Sequence, residues 1–206
     1  MKQVFLVRHA QSEHHVGQMT GGWTDLPLTN RGRSESAATA RWLGEQLGDA
    51  RPQLFSSDLR RAAETAGAIG SHLSLPIEWE RGLRELNNGE AAGLTLEEAE
   101  RIALPVTHPT IDWVPYPGAE SWRMMADRVN ACMETIAQRS PDCAVLVTHG
   151  NAAVVVVQWW LGICPRCQRQ VSFEFDPASV TELTVNRWGE RTVARLNNIN
   201  HLLTVV

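Results

Sequence analysis

Apolar positions along the chain fall into short unbroken runs, alternating with longer stretches in which they recur every three or four residues. Lys2–Val7 carries Val4, Phe5, Leu6 and Val7 in succession, the pattern of a strand covered on both faces. Thr29 is the predicted N-cap of a helix reaching Leu47, with Ala37, Ala40, Leu43 and Leu47 on one stripe and Gly48 as its stop. Gln53–Ser56 reads as a second strand and Leu59–Leu73 as a second helix, its stripe Ala62, Ala66, Ile69 and Leu73. After Pro76 comes a short strand, Ile77–Trp79. Gly82–Gly118 is irregular, broken by Pro105, Pro109, Pro115 and Pro117 and helical only over Thr95–Ala103; it reads as a lid or substrate-specificity segment. Glu120–Gln138 is a strong amphipathic helix, with Trp122, Met125, Val129, Met133 and Ile136 on its stripe. It is followed by a strand at Cys143–Val147 and a helix at Ala152–Leu161. Gln170–Leu196 alternates like two strands around a turn at Asn186–Gly189. This order predicts an α/β fold, a mostly parallel central sheet flanked by helices on both faces, built as a single domain over 1–206.

Polar residues placed on that map gather at strand ends. Arg8 and His9 follow the first strand; Ser56, Ser57, Arg60 and Arg61 follow the second. Arg84 and Glu85 come shortly after the third, and Thr148, His149 and Gly150 after the Cys143–Val147 strand. Open α/β sheets bind ligands outside the carboxyl ends of their strands. Four separated segments therefore bring two histidines, arginines and one carboxylate to one crevice. A neutral imidazole can serve as a nucleophile. Arginines and a protonated histidine stabilise phosphoryl oxygens. A carboxylic acid protonates a leaving oxygen and later takes a proton from water. Taken singly, each residue has a bland reading: a structural His9, a surface Arg84–Glu85 pair, His149 as a helix cap. Joint placement at four strand ends is harder to explain that way.

Composition adjusts this picture only at the edges. A net charge of −4 argues against a nucleic-acid binder. Lys2 is the only lysine, so arginine supplies nearly all the positive charge; base composition explains this as well as phosphate handling does. No export signal is legible, and the run Ala152–Ile163 is too short for a membrane span, so a cytoplasmic protein with no membrane partner is expected. Cys132, Cys143, Cys164 and Cys167 are then expected as reduced thiols. The lone CxxC at Cys164–Cys167 lacks the further ligands of a structural zinc site.

The ordered motifs resemble the histidine phosphatase superfamily, in its phosphoglycerate mutase-like branch. The resemblance rests on Leu6-Val7-Arg8-His9-Ala10-Gln11-Ser12-Glu13, on Gly22-Trp23-Thr24-Asp25-Leu26-Pro27-Leu28-Thr29 with Gly32, and on Ser56-Ser57-Asp58-Leu59-Arg60-Arg61-Ala62 with Thr65. Leu83-Arg84-Glu85 with Gly89 and Gly93, Gly118-Ala119-Glu120-Ser121, and Val147-Thr148-His149-Gly150 complete it. It implies that His9 is the phosphorylated nucleophile, that Arg8, Arg61 and His149 hold the phosphoryl oxygens, and that Glu85 is the proton donor. Arg61 is chosen over Arg60 because it directly precedes Ala62. His15, Gly22 and Ser57 are further substrate- or phosphate-binding candidates. The implied activity is hydrolysis of small phosphomonoesters without cofactor or metal, in a chain that can form a homodimer. Two departures stand out: Ala10 where the family usually has glycine, and Ala91-Ala92 where an aromatic-acid pair is common, which is expected to open one pocket wall. Three alternatives stand beside a phosphatase: a mutase, a non-catalytic binder of phosphorylated ligands, and a metal hydrolase using His9, His14, His15 and His149. Adjacent His14-His15 has no recognised ligand spacing.

Overall fold

The structure is a computed structural model in which residues 1–139, 141–164 and 167–203 are described. In chain order the strands and α-helices are β1 (Gln3–Arg8), α1 (Glu13–Val16), α2 (Asn30–Leu47), β2 (Gln53–Ser56), α3 (Arg60–Leu73), β3 (Ile77–Trp79) and α4 (Leu96–Arg101). They continue with α5 (Trp122–Gln138), β4 (Cys143–Thr148), α6 (Gly150–Leu161), β5 (Val180–Val185) and β6 (Arg191–Asn198). The six strands form one sheet in the order β3-β2-β4-β1-β5-β6. β1 and β4, β2 and β4, and β2 and β3 run parallel, whereas β5 is antiparallel to β1 and to β6.

The apolar runs are covered on both faces, as expected of central parallel strands. Val4 and Leu6 of β1 join Leu146, Met125, Val129 and the valines of α6 in one core. Phe5 and Val7 point the other way, into a second core with Leu54, Val145, Leu43 of α2 and Ile69 of α3. Helices α2 and α3 therefore cover one face and α5 and α6 the other.

Helix starts follow local chemistry. The Thr29 hydroxyl accepts from Gly32 N at 3.0 Å, Ser121 caps α5 through Met124 N, and Thr95 caps α4 in a capping box with Glu98. Helix α2 buries a wider face than its apolar stripe predicts: Glu35, Ser36 and Thr39 are buried beside Ala40, Leu43 and Leu47. Glu35 is fixed there by Gln11 N and by Arg31, beneath the loop that follows β1.

Two expectations need correction. Arg8 and Thr148 are the last paired residues of β1 and β4, matched in register, rather than residues beyond them. The tail forms strands only over Val180–Val185 and Arg191–Asn198. The alternating stretch before β5 is irregular because its carbonyls are taken by side chains: Gln158 Nε2 donates to Gln168 O and Val171 O, both at 2.7 Å, and Arg8 donates to Phe175 O. The 82–118 segment is ordered by short helical turns and tied to α5, where Glu120 accepts from Asn87 N at 3.0 Å and pairs with Arg128 at 2.7 Å.

Candidate active site

β1 and β4 lie side by side and parallel, so both release their chains at the same edge of the sheet. His9 and His149 are the next residues, and their ring centroids lie 5.0 Å apart. β2 ends one strand over and leads through Ser57 into α3, whose first turn carries Arg61. Arg60 projects outward to Glu64, whereas Arg61 is almost wholly buried.

Arg61 is held at three points. Nε donates to His9 Nε2 at 3.1 Å, and the two terminal nitrogens donate to Thr24 O and Gly22 O, each at 2.7 Å. Gly22 thus aims Arg61 through its carbonyl. Its positive φ and its packing explain the glycine, since a Cβ there would fall 2.4 Å from the Asn88 side-chain oxygen. These contacts settle the His9 tautomer. Nε2 accepts from Arg61, so the ring proton lies on Nδ1 and is donated to Ala10 O at 2.8 Å. The lone pair on Nε2 therefore faces the guanidinium.

Arg8 donates to Phe175 O and lies 3.0 Å from His15 Nε2. His15 Nδ1 lies 3.0 Å from Ser12 N, so the ring is held between the Ser12 amide and the Arg8 guanidinium. Arg8 Nε and His149 Nδ1 are buried without a partner among the described residues. Ser57 bonds His149 Nε2 at 2.8 Å, and the His149 side chain makes no helix-capping bond. Glu85 receives Leu86 N at 2.8 Å and Asn151 N at 3.1 Å, while Arg84 pairs with Asp58 rather than with Glu85.

Burial above all, then Arg61, His149 and Arg8, drives the His9 pKa well below its ordinary range; the bond to the Ala10 carbonyl opposes this. His149 is lowered by burial, then by Arg61, His14, Arg8 and Arg128. Burial and neighbouring positive groups take His14 down to about 3 and His15 to about 4. Burial lowers Arg61 to about 10, still charged at neutral pH. The free site therefore holds neutral imidazoles among charged guanidinium groups.

A cavity of about 300 Å³ is lined by Arg8, His9, His14, Gly22, Arg61 and Glu85, with Asn87, Asn88, Pro115 and Tyr116 from the 82–118 segment. The Ala91-Ala92 departure does not open its wall: Ala91 is fully buried, its carbonyl accepting from Thr20 at 2.6 Å, and Ala92 faces solvent. Sequence reasoning also set aside His14 and His15 as a ligand pair, yet the fold brings ring nitrogens of His9, His14 and His15 within 4.8 Å of one another. The donor set suits an anion better than a cation there. Arg8 and Arg61 contribute two positive charges beside these rings. Cys164 and Cys167 lie far along the chain from this set, with Cys164 Sγ donating to Cys167 Sγ at 2.7 Å. Among the described residues no helix is long and apolar enough to cross a membrane.

Fold and site together define an α/β phosphoryl-transfer protein. The family model of the histidine phosphatase superfamily (branch 1) matches residues 4–199, and the chain belongs to that family of enzymes. It is 30% identical over 175 residues to the glucosyl-3-phosphoglycerate phosphatase of Mycolicibacterium vanbaalenii, covering 79% of this chain and 76% of that one. It is 29% identical to the probable phosphoglycerate mutase GpmB of Escherichia coli, over 98% of this chain and 95% of the other. A solved structure of mycobacterial glucosyl-3-phosphoglycerate phosphatase in complex with VO3 superposes with a TM-score of 0.80 at 25% identity, covering 97% of this chain and 100% of that one.

Proposed function

We propose that the protein hydrolyses phosphomonoesters through a phosphohistidine at His9. The reading rests chiefly on the Nε2 lone pair of a buried, neutral His9, held by the Nδ1–H bond to Ala10 and facing the Arg61 guanidinium at 3.1 Å. In the first step His9 Nε2 forms a bond to phosphorus as the ester P–O bond breaks. Glu85 in its acid form gives its proton to the departing alcohol oxygen. In the second step Glu85 takes a proton from water, whose oxygen attacks the phosphohistidine; inorganic phosphate leaves and Nε2 regains its lone pair. Arg8, Arg61, His15 and His149 hold the equatorial oxygens, with Ser57 orienting His149. Cationic side chains at fixed positions supply the charge stabilisation.

His9→Ala should lose on the order of 10³-fold or more in kcat, because such a unit acts together. Acid-quenched wild-type protein should carry label from a phosphorylated substrate on His9. Normal turnover by His9→Ala would end this mechanism. The likeness to a probable phosphoglycerate mutase along 98% of the chain gives a second reading, transfer back to substrate in place of water. Product analysis with 3-phosphoglycerate separates them: inorganic phosphate marks a hydrolase, a positional isomer a mutase.

A further inference from the structure

A second cavity, of about 440 Å³, shares Arg8, Glu85 and Asn151 with the first. Its remaining wall comes from Val154, from Ser172–Asp176 and from Asn197, none of which belongs to the 82–118 segment. We propose that this chamber receives the substrate's leaving group, and that it selects an uncharged, hydroxyl-rich alcohol over one carrying a carboxylate or a second phosphate. The inference rests on the phosphatase reading above.

Position supports it first. Glu85, the proton donor to the departing oxygen, lies at the junction of the two cavities. The first cavity holds the groups that grip phosphate, so the alcohol must leave past Glu85. The wall is also built rather than loose. Asp176 N donates to Asn197 Oδ1 at 2.7 Å while Asn197 Nδ2 donates to Asp176 Oδ2 at 2.9 Å, clamping the loop to the end of β6. Arg8 fixes the Phe175 carbonyl, and Ala178 N donates to Arg8 O at 3.1 Å. The Ser172 hydroxyl and the Glu174 carboxylate make no hydrogen bond or ion pair among the described residues, so both are available to a ligand.

Charge then sets the class. Glu174 and Asp176 bring negative charge to the chamber beside Glu85, which enters the step as its neutral acid, against one cation, Arg8, which the phosphoryl group engages. A leaving group with its own negative charge would meet carboxylates with no spare positive partner. Hydroxyl groups would find acceptors in Glu174 and Ser172 and amide partners in Asn151 and Asn197.

The test uses pairs of esters that differ in one charged group: glycerol 3-phosphate against 3-phosphoglycerate, and fructose 6-phosphate against fructose 1,6-bisphosphate. The wild-type protein should favour the first of each pair in kcat/KM, by about tenfold. Glu174→Lys should reduce that ratio by about fivefold, the upper range for one exposed charge pair. Ser172→Trp, on an exposed position, should lower kcat/KM for fructose 6-phosphate about tenfold relative to p-nitrophenyl phosphate. Preference for the anionic members, or ratios unmoved by both substitutions, would overturn the chamber while leaving hydrolysis intact. Absence of any phosphate release or label on His9 would instead bring down the phosphatase reading, and this inference with it.

Discussion

The phosphate pocket and the chamber beside it are built by opposite means. In the pocket, His9, Arg61 and His149 are each under 3% exposed and held by bonds to neighbouring backbone or side chains. In the chamber, Ser172, Glu174 and Asp176 are exposed; the backbone behind them is fixed, and of their side chains Asp176 is held by Asn197 while Ser172 and Glu174 are not bonded among the described residues. Phosphoryl chemistry needs charges placed before substrate arrives, because electrostatic stabilisation works best when nothing has to reorganise. Selection among alcohols needs only contacts, each worth about 1–3 kcal/mol, and these tolerate replacement. The names of similar proteins include both a phosphatase and a mutase.

The contrast breaks first at Arg61. Arg61→Lys removes the fork that serves His9, Gly22 O and Thr24 O together. We expect kcat to fall about 10²–10³-fold, with similar losses for every ester tested. A loss confined to some esters would show that Arg61 belongs to selection rather than chemistry. Glu85→Gln is expected to slow alkyl phosphates about 10²-fold and p-nitrophenyl phosphate far less, since that leaving group scarcely needs a proton. Equal slowing would reduce Glu85 to an orienting residue.

The smallest effect is on stability. His9, His14, His15 and His149 have folded pKa values below the ~6.5 of an unfolded chain. Between those values the unfolded chain binds more protons than the fold. Stability is thus fully present above about pH 6.5 and is lost as pH falls toward the folded values. The slope is at most about 1.4 kcal/mol per pH unit for each histidine, and less for the partly solvent-facing His14 and His15. Calorimetry should give a lower Tm at pH 5.5 than at pH 7.5, with inorganic phosphate restoring part of the loss. A Tm independent of pH over that range would contradict neutral, buried imidazoles.

Much of the framework was legible because it follows local rules. Apolar runs marked β1, β2 and β4, and Thr29 marked the start of α2 to the residue. The sites at strand ends were legible for the same reason: parallel strands deliver their following residues to one edge. What escaped depends on partners distant in sequence. Nothing in Gln168–Phe175 shows that Gln158 and Arg8 claim its carbonyls, so its alternation was read as a strand. Ala91 looked like a missing pocket wall, but it packs under Thr20, seventy-one positions away. The meeting of His14 and His15 with His9 depends on one turn of helix, α1, which carries no stripe of its own.

The alternation of β1 has a consequence for how this enzyme can vary. Val4 and Leu6 serve one core and Phe5 and Val7 the other, with Arg8 in register with Thr148 at the strand's end. Side chains on a strand take one of two directions, so a single inserted or deleted residue within β1 exchanges both cores at once and turns His9 from the pocket. Even a drift between similar apolar residues leaves that parity untouched. Length changes are thereby confined to the loops beyond the strand ends, where they alter which alcohols fit. His9 is held in place by arithmetic as much as by its own chemistry.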